Sequence, residues 1–370
     1  MLCRRSPNGI AGAYLEAAGG MVLDVSRRCA ALSSSSPPTD SQEEYWEADD
    51  GHEKERKVIA DDGHENEEEE EEEEEEVEED DEGDTSSSDV SNDTGSSEEV
   101  TSRKRHRMAE NNGSSSLTLH GRVAIVTGGA GGIGSAVSKH LASLGARVAV
   151  AYFGDPAPVR ELVVGINATH GADPPRALAV HADVSDAAQV RALFDVAAAA
   201  FGGELHILVT TAAVLDFSYP TLAETTEESY DAMFGTNARG TFLCCREAAN
   251  RLARDGRGRI VTFSSSGVGS LRPGYAAYAA SKAAVEVMTR ILARELRGTG
   301  ITANAVAPGS TATPMFYNGK TPEEADRYIA EAPLGRLGMP EDIAPLVGFL
   351  VSDAGGWVNA QVLRCNGGTI

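Results

Sequence analysis

From Gly121 onward the chain alternates short β-branched runs with helix-length stretches, and few folds accept that rhythm. VAIVT at 123–127 is followed by the glycine-rich GGAGGIG at 128–134, by the helical SAVSKHLASLG at 135–145, and at once by a second apolar run, ARVAVAY at 146–152. Strand, glycine turn, helix and strand in that order make a parallel βαβ unit. Further strand-like runs lie at 177–184, 206–214, 259–266, 301–309 and 361–368, and helical stretches at 185–200, 227–254 and 275–297. This pattern predicts an α/β fold, a Rossmann-type doubly wound parallel sheet covered by helices on both faces. Ligands of such a sheet sit beyond the carboxyl ends of its strands, where the strand order reverses.

Charge separates this region from what precedes it. Residues 1–107 hold 33 of the 57 acidic groups and 11 of the 32 Lys/Arg, a net of −22 within an overall −25. They include a near-continuous glutamate run over 67–79 and little apolar material. Like charges in sequence repel and no apolar face repeats, so 1–107 reads as a disordered acidic tail, 108–117 as a linker and 118–370 as the single catalytic domain. The overall charge therefore says nothing about a cationic substrate. Arg103, Lys104, Arg105 and Arg107 read as a nuclear address or an anion-binding patch. Met108 opens a plausible start of its own, so the chemistry is not expected to need the tail. No apolar run has transmembrane length, and the N-terminus lacks a secretory h-region. Five cysteines have no zinc-like spacing, which fits a reduced compartment and no metal.

Two features carry chemistry. Thr127, Gly128, Gly132 and Gly134 form a TGxxxGxG turn between strand and helix, where glycines let a pyrophosphate approach backbone N–H groups at a helix N-terminus. In GYAAYAASKAAV, residues 274–285, Tyr278 and Lys282 stand four apart and so share one helix face, with Tyr275 one turn earlier. Packing alone is the plain explanation of such a face. A proton donor with an ammonium beside it is the other.

With Asn237 in FGTNARGTF and Ser265 added, these motifs resemble the classical short-chain dehydrogenase/reductase family, in order and spacing, from about Leu117 to the C-terminus. FLCCREAANRL, APLGRLG and WVNAQVLRCNGG resemble its plant NADPH-dependent aldehyde reductase-like branch. The resemblance implies that Tyr278 is the general acid/base, with a phenol pKa lowered by the Lys282 ammonium. It implies that Lys282 also holds the nicotinamide ribose, that Ser265 binds the substrate oxygen, and that Asn237 holds a helix distortion and a water of the proton relay. Thr127, Gly128, Gly132, Ile133 and Gly134, Tyr152, Asp183 and Val184, Thr211, Ala212 and Ala213, and Pro308, Gly309 and Thr313 are the implied cofactor contacts. Asp183 would hold the adenine amine, although an acid after a strand also starts helices. Tyr275, Met315 and Phe316 are the implied substrate wall, and 313–335 the lid.

The sequence departs from that pattern in places. Thr210, Thr211, Ala212 and Ala213 stand where the family has Asn-Asn-Ala-Gly or Asn-Ser-Ala-Gly, and Ala360 where the branch has Gly. The first Asn of the family braces the central strands, and Thr210 shortens that reach. Tyr152 ends the second strand where NAD-using members carry an acid, and Asp155 comes three residues late. NADP(H) is therefore favoured over NAD(H), although Gly131 lacks the positive side chain of many NADP users. The expected activity is hydride transfer between NADP(H) and a small aldehyde, ketone or alcohol. The alternatives are a catalytically impaired nucleotide-binding scaffold and an NAD-dependent secondary alcohol dehydrogenase. The expected partners are a small-molecule substrate and a second copy of the chain in a homodimer or homotetramer, with no membrane and no nucleic acid. The expected compartment is the cytoplasm, with plastid and nucleus left open.

Overall fold

The computed structural model describes residues 22–24 (backbone only), 117–170 and 174–370, which belong to one compact unit. Its framework is a parallel sheet of β1 (Val22–Asp24), β2 (Val123–Thr127), β3 (Arg147–Tyr152), β4 (Ala177–His181), β5 (Ile207–Thr210), β6 (Arg259–Phe263), β7 (Thr302–Pro308) and β8 (Val362–Cys365). The spatial order is β1-β4-β3-β2-β5-β6-β7-β8, with every neighbouring pair parallel.

Strand periodicity explains why both faces need cover. Side chains alternate across a strand, so Ala124 and Val126 enter one core while Val123 and Ile125 enter the other. The first core is closed by α1 (Gly132–Ser143), α2 (Ala157–His170) and α10 (Pro340–Val351), through Val137, Leu141, Val159, Ile166, Ile343 and Val347. The second is closed by α3 (Ala187–Phe201), α5 (Thr241–Arg251) and α7 (Ala276–Glu295), through Leu193, Phe194, Leu243, Cys244 and Ala293. Two-sided burial is why these strands read as continuous apolar runs. The remaining helices are α4 (Glu227–Met233), a π-helical turn (Phe234–Gly240), α6 (Gly267–Ser270), α8 (Pro314–Tyr317) and α9 (Pro322–Glu331). Among the described residues no helix is long and apolar enough to cross a membrane.

Several boundaries differ from the periodicity. β5 ends at Thr210 and not at 214, because the N–H and C=O of Val214 bond the Asn237 side chain instead of the ladder. The helix expected over 227–254 is broken by the π turn and ends at Arg251, after which the Ala253 N–H bonds Leu205. α2 and α10 had no expectation of their own. The unstructured reading of 1–107 meets one exception: Val22–Asp24 pairs along the outer edge of β4, whose N–H and C=O groups would otherwise have no strand beside them. The rest of 1–107, and nearly all of the 108–117 linker, lie outside the described residues.

Ala360 has φ +58, in the left-handed region where a Cβ crowds the following carbonyl. Its N–H bonds the Ala303 carbonyl at 3.0 Å, which fixes that conformation against β7. The replacement of the branch's glycine thus matters more than alanine's small size suggests. Ala360→Gly should stabilise the protein by about 1 kcal/mol, read as a rise in the midpoint of urea unfolding with an unchanged slope; an unchanged or lower midpoint would disprove the strain.

Candidate active site

The strands deliver their carboxyl ends to one cleft of about 640 Å³. It opens where β3 and β5 diverge to either side of β2, the reversal point at which doubly wound sheets bind ligands. Gly128, at φ +61, turns the chain from β2 towards α1, and a Cβ there would lie 2.7 Å from the Ala212 backbone. Gly134 is equally confined, with Thr211 Oγ1 2.6 Å from where its Cβ would be. A Cβ on Gly132 would strike Thr313 at 2.5 Å, which brings the residue after the β7 loop down onto the glycine turn. No side chain caps α1, so its first N–H groups are left for a ligand in the cleft. This cradle fits a dinucleotide pyrophosphate. Gly131 is different: its φ is −74 and an added Cβ meets only the Gly128 carbonyl, at 3.3 Å, so a side chain there is not sterically barred.

The remaining implied cofactor contacts fall around the cradle. Ile133, Tyr152, Asp183, Val184, Ala212, Ala213, Pro308 and Gly309 all line the cleft. Ala213 has no positive φ, so its position does not need glycine. Asp183 Oδ1 accepts from the Ser185 N–H and hydroxyl at 2.8 and 2.7 Å, while Asp186 caps α3. Asp155 accepts from the Ala157 N–H at 2.9 Å at the start of α2 and is not among the cleft residues, which leaves the ribose region beside Tyr152 without its carboxylate. Thr127 lies beneath the cleft floor, fully buried. The brace between β2 and β5 comes from Thr211, whose hydroxyl donates to the Thr127 carbonyl at 2.5 Å. Thr210 does not take part; its buried Oγ1 has no hydrogen-bond partner.

The residues expected to react gather on the other side. Ser265 follows β6, and its Oγ accepts from the Gly267 N–H at 3.0 Å. Tyr278 and Lys282 face the same cleft from α7, with the Lys282 Nζ 5.9 Å from the Tyr278 ring centre. Lys282 is buried and donates to the Phe263 carbonyl at 2.9 Å. Burial pushes its ammonium down to about 8. Tyr278 moves opposite to expectation: burial raises the phenol, and the polar Ser265 nearby only partly offsets it. Desolvation outweighs the lysine because the ammonium is turned to a backbone carbonyl. Asn237 lies outside the cleft, fully buried in the π turn. Its Oδ1 accepts from Val214 N at 2.8 Å, and its Nδ2 donates to Val214 O and Ser281 Oγ, both at 3.0 Å. The neighbouring Ser264 and Ser266 are tied to Glu286 and to the Ala307 carbonyl.

Tyr275, Met315 and Phe316 line the substrate end, as does α9 through Tyr328. α9 forms because Thr321 and Glu324 cap each other's backbone N–H groups. Lys320 and Arg272 also line this end; sequence reasoning missed Arg272 and Tyr219, and within the expected 313–335 lid it singled out neither Lys320 nor Tyr328. They lie on irregular segments or short helices where no periodicity marks a site.

A family model described as enoyl-(acyl carrier protein) reductase matches residues 128–369. A "Short-chain type dehydrogenase/reductase" of Picea abies is 52% identical over 68% of this chain and 93% of its own. An "NADPH-dependent aldehyde reductase-like protein, chloroplastic" of Arabidopsis thaliana is 51% identical over 69% of this chain and 96% of its own. The crystal structure of a short-chain dehydrogenase from Burkholderia cenocepacia in complex with NADP is 38% identical, covers 68% of this chain and 98% of that one, and superposes with a TM-score of 0.62. The chain belongs to the short-chain dehydrogenase/reductase family. As a member, it is an oxidoreductase of carbonyl and hydroxyl groups.

Two predictions follow from the site. Thr210→Val should leave stability unchanged or slightly raised, since its hydroxyl has no partner, whereas Thr211→Val should lose about 1 kcal/mol with the brace. Equal effects of the two in urea unfolding would refute that assignment. The second concerns Lys282, whose folded value lies below its ordinary 10.5. Between about pH 8 and 10.5 the unfolded chain therefore holds a proton that the folded chain has released. Lys282 should therefore contribute a rise in stability of about 3 kcal/mol through that window, while the buried Cys244 and Cys245 thiols, pushed up by burial, oppose it above about pH 9. Lys282→Met should remove the lysine's share only, read as a smaller stability advantage of the variant over wild type at pH 10 than at pH 7 in urea unfolding.

Proposed function

We propose that Tyr278 is the general acid and base of an NADP(H)-dependent reduction of small aldehydes or ketones, reversible towards alcohols. The observation that carries this is the placement of Ser265, Tyr278 and Lys282 on one cleft, with the Lys282 ammonium 5.9 Å from the Tyr278 ring centre. A bound nicotinamide supplies the hydride. Negative charge then grows on the substrate oxygen, where Ser265 and Tyr278 are placed to donate, and Tyr278 hands over its proton. Lys282 keeps a positive charge behind the phenol and eases its ionisation. Asn237 holds the loop after β5 against α7. The uncapped start of α1, with Gly128, Gly132, Ile133 and Gly134, holds the pyrophosphate. Thr211, Ala212 and Ala213 form the floor with Thr127 beneath it, Tyr152, Asp183 and Val184 the adenosine end, and Pro308, Gly309 and Thr313 the cover over the nicotinamide.

NADP(H) is favoured by the missing carboxylate beside Tyr152, and the NADPH-dependent relative and the NADP-bound structure agree with it. Homodimers or homotetramers built on the α4–α5 and α7 surfaces, without nucleic acid, complete the reading. Those surfaces expose Tyr230, Phe242, Val287 and Ile291. The chloroplastic name of the Arabidopsis relative sets the plastid beside the cytoplasm as its compartment. The decisive assay follows NADPH oxidation by the full chain against a panel of small aldehydes and ketones. Tyr278→Phe should lower kcat by about 10²–10⁴-fold. Undiminished turnover in that variant would overturn the assignment, and no turnover by folded wild type would favour the scaffold alternative.

A further inference from the structure

At the substrate end of the cleft, Lys320 sits inside a ring of aromatic side chains. Its Nζ lies 4.2 Å from the ring centre of Tyr219, 5.1 Å from Phe316, 5.7 Å from Tyr328 and 5.9 Å from Tyr275. It also donates to the Tyr219 hydroxyl. That hydroxyl spends its own proton on the Asn318 carbonyl at 3.1 Å, so its lone pairs are left for the lysine. The ammonium is thereby held at one place on the wall.

Keeping it there uses strained backbone. Tyr219 adopts φ +49, unusual for a bulky residue. A Cβ on Gly274 would lie 2.8 Å from the Tyr219 carbonyl, and Gly319, at φ +74 just before Lys320, leaves no room for a Cβ beside the Phe217 carbonyl. Strain of this kind collects at ligand clamps.

Its charge is only partly met: Glu324 attracts it, but among the described residues no carboxylate comes within ion-pair distance of Lys320, whereas Arg272 at the same end is paired with Glu331. Partial burial pushes the Lys320 ammonium down, so an anion beside it would relieve a cost already present. The Tyr275 ring, 5.9 Å from Lys320, is also 6.3 Å from the Tyr278 ring and edge-on to it. A substrate with its carbonyl on Ser265 and Tyr278 thus needs a flat body of only one or two ring widths to bring a second group to the lysine.

We propose that Lys320 is a specificity residue that selects carbonyl substrates carrying a carboxylate on a flat apolar body, an inference that rests on the reductase reading of the cleft. The carboxylate pairs with the ammonium while the aromatic walls take the body. The competing role is a latch, in which Lys320 only fastens the segment before α9 onto Tyr219.

The test compares 3- and 4-carboxybenzaldehyde with 3- and 4-methylbenzaldehyde, matched in shape and differing in charge, using the full chain and NADPH. Wild type should favour the carboxylates by about tenfold or more in kcat/KM. Lys320→Met should lower that value for the carboxylates by about 10–100-fold, mainly through KM, and leave the methyl compounds within about threefold. Lys320→Arg should retain most of the preference. An equal loss for both classes would make Lys320 a latch and overturn the proposal, as would carboxylates unaffected by Lys320→Met. Calorimetric binding of the same four compounds with NADP⁺ present reads the preference without turnover. Carboxylate binding that depends on Lys320 in a protein that reduces nothing would support the proposal and refute the reductase reading. Binding indifferent to Lys320 would refute the proposal whatever the turnover.

Discussion

One buried carboxamide holds the reaction geometry together. Asn237 bonds both backbone groups of Val214 with one side-chain plane and reaches Ser281 with its remaining N–H. Ser281 in turn donates to the carbonyl of Tyr278 at 2.7 Å. A regular α-helix over 227–251 would carry this side chain at a different angle, so the π turn is what aims it. The loop that ends β5 and the helix that carries Tyr278 and Lys282 are thus joined through groups that are all satisfied, and a satisfied buried network is stiff. Cleft floor and the helix of Tyr278 cannot drift apart without breaking it.

Around this brace the protein holds several arrangements that cost stability. Lys282 carries an ammonium into a buried site with one carbonyl for company. Thr210 buries a hydroxyl without a partner, and Ala360 and Tyr219 occupy left-handed backbone. Tyr219 and Lys282 stand at the cleft or its aromatic rim, where position matters more than energy. Thr210 and Ala360 have no such excuse. Each replaces a residue that the family pattern would supply, and the sheet tolerates them because two continuous apolar cores cover both faces.

The sheet was legible because two-sided burial writes a local signature, a β-branched run that repeats between helix-length stretches. The glycine turn was legible because close approach admits only glycine, and the Tyr278–Lys282 pair because a helix fixes what shares a face. Other features were not. The phenol shift came out opposite in direction, since local spacing brings Lys282 near but cannot show that Phe263 takes its proton donor or that burial dominates. The brace moved from Thr210 to Thr211, because which hydroxyl points at β2 depends on strand register. Tyr219, Lys320 and Arg272 come from irregular segments and Tyr328 from the short α9, and only folding assembles them.

By itself, the sequence determined the parallel α/β sheet, the glycine turn after β2 and the helix face shared by Tyr278 and Lys282, because those depend on periodicity and on short-range spacing. Only the tertiary structure decided the protonation of the site and the character of its substrate wall. Those depend on which distant groups desolvate or neutralise one another, and that is a property of space rather than of order along the chain.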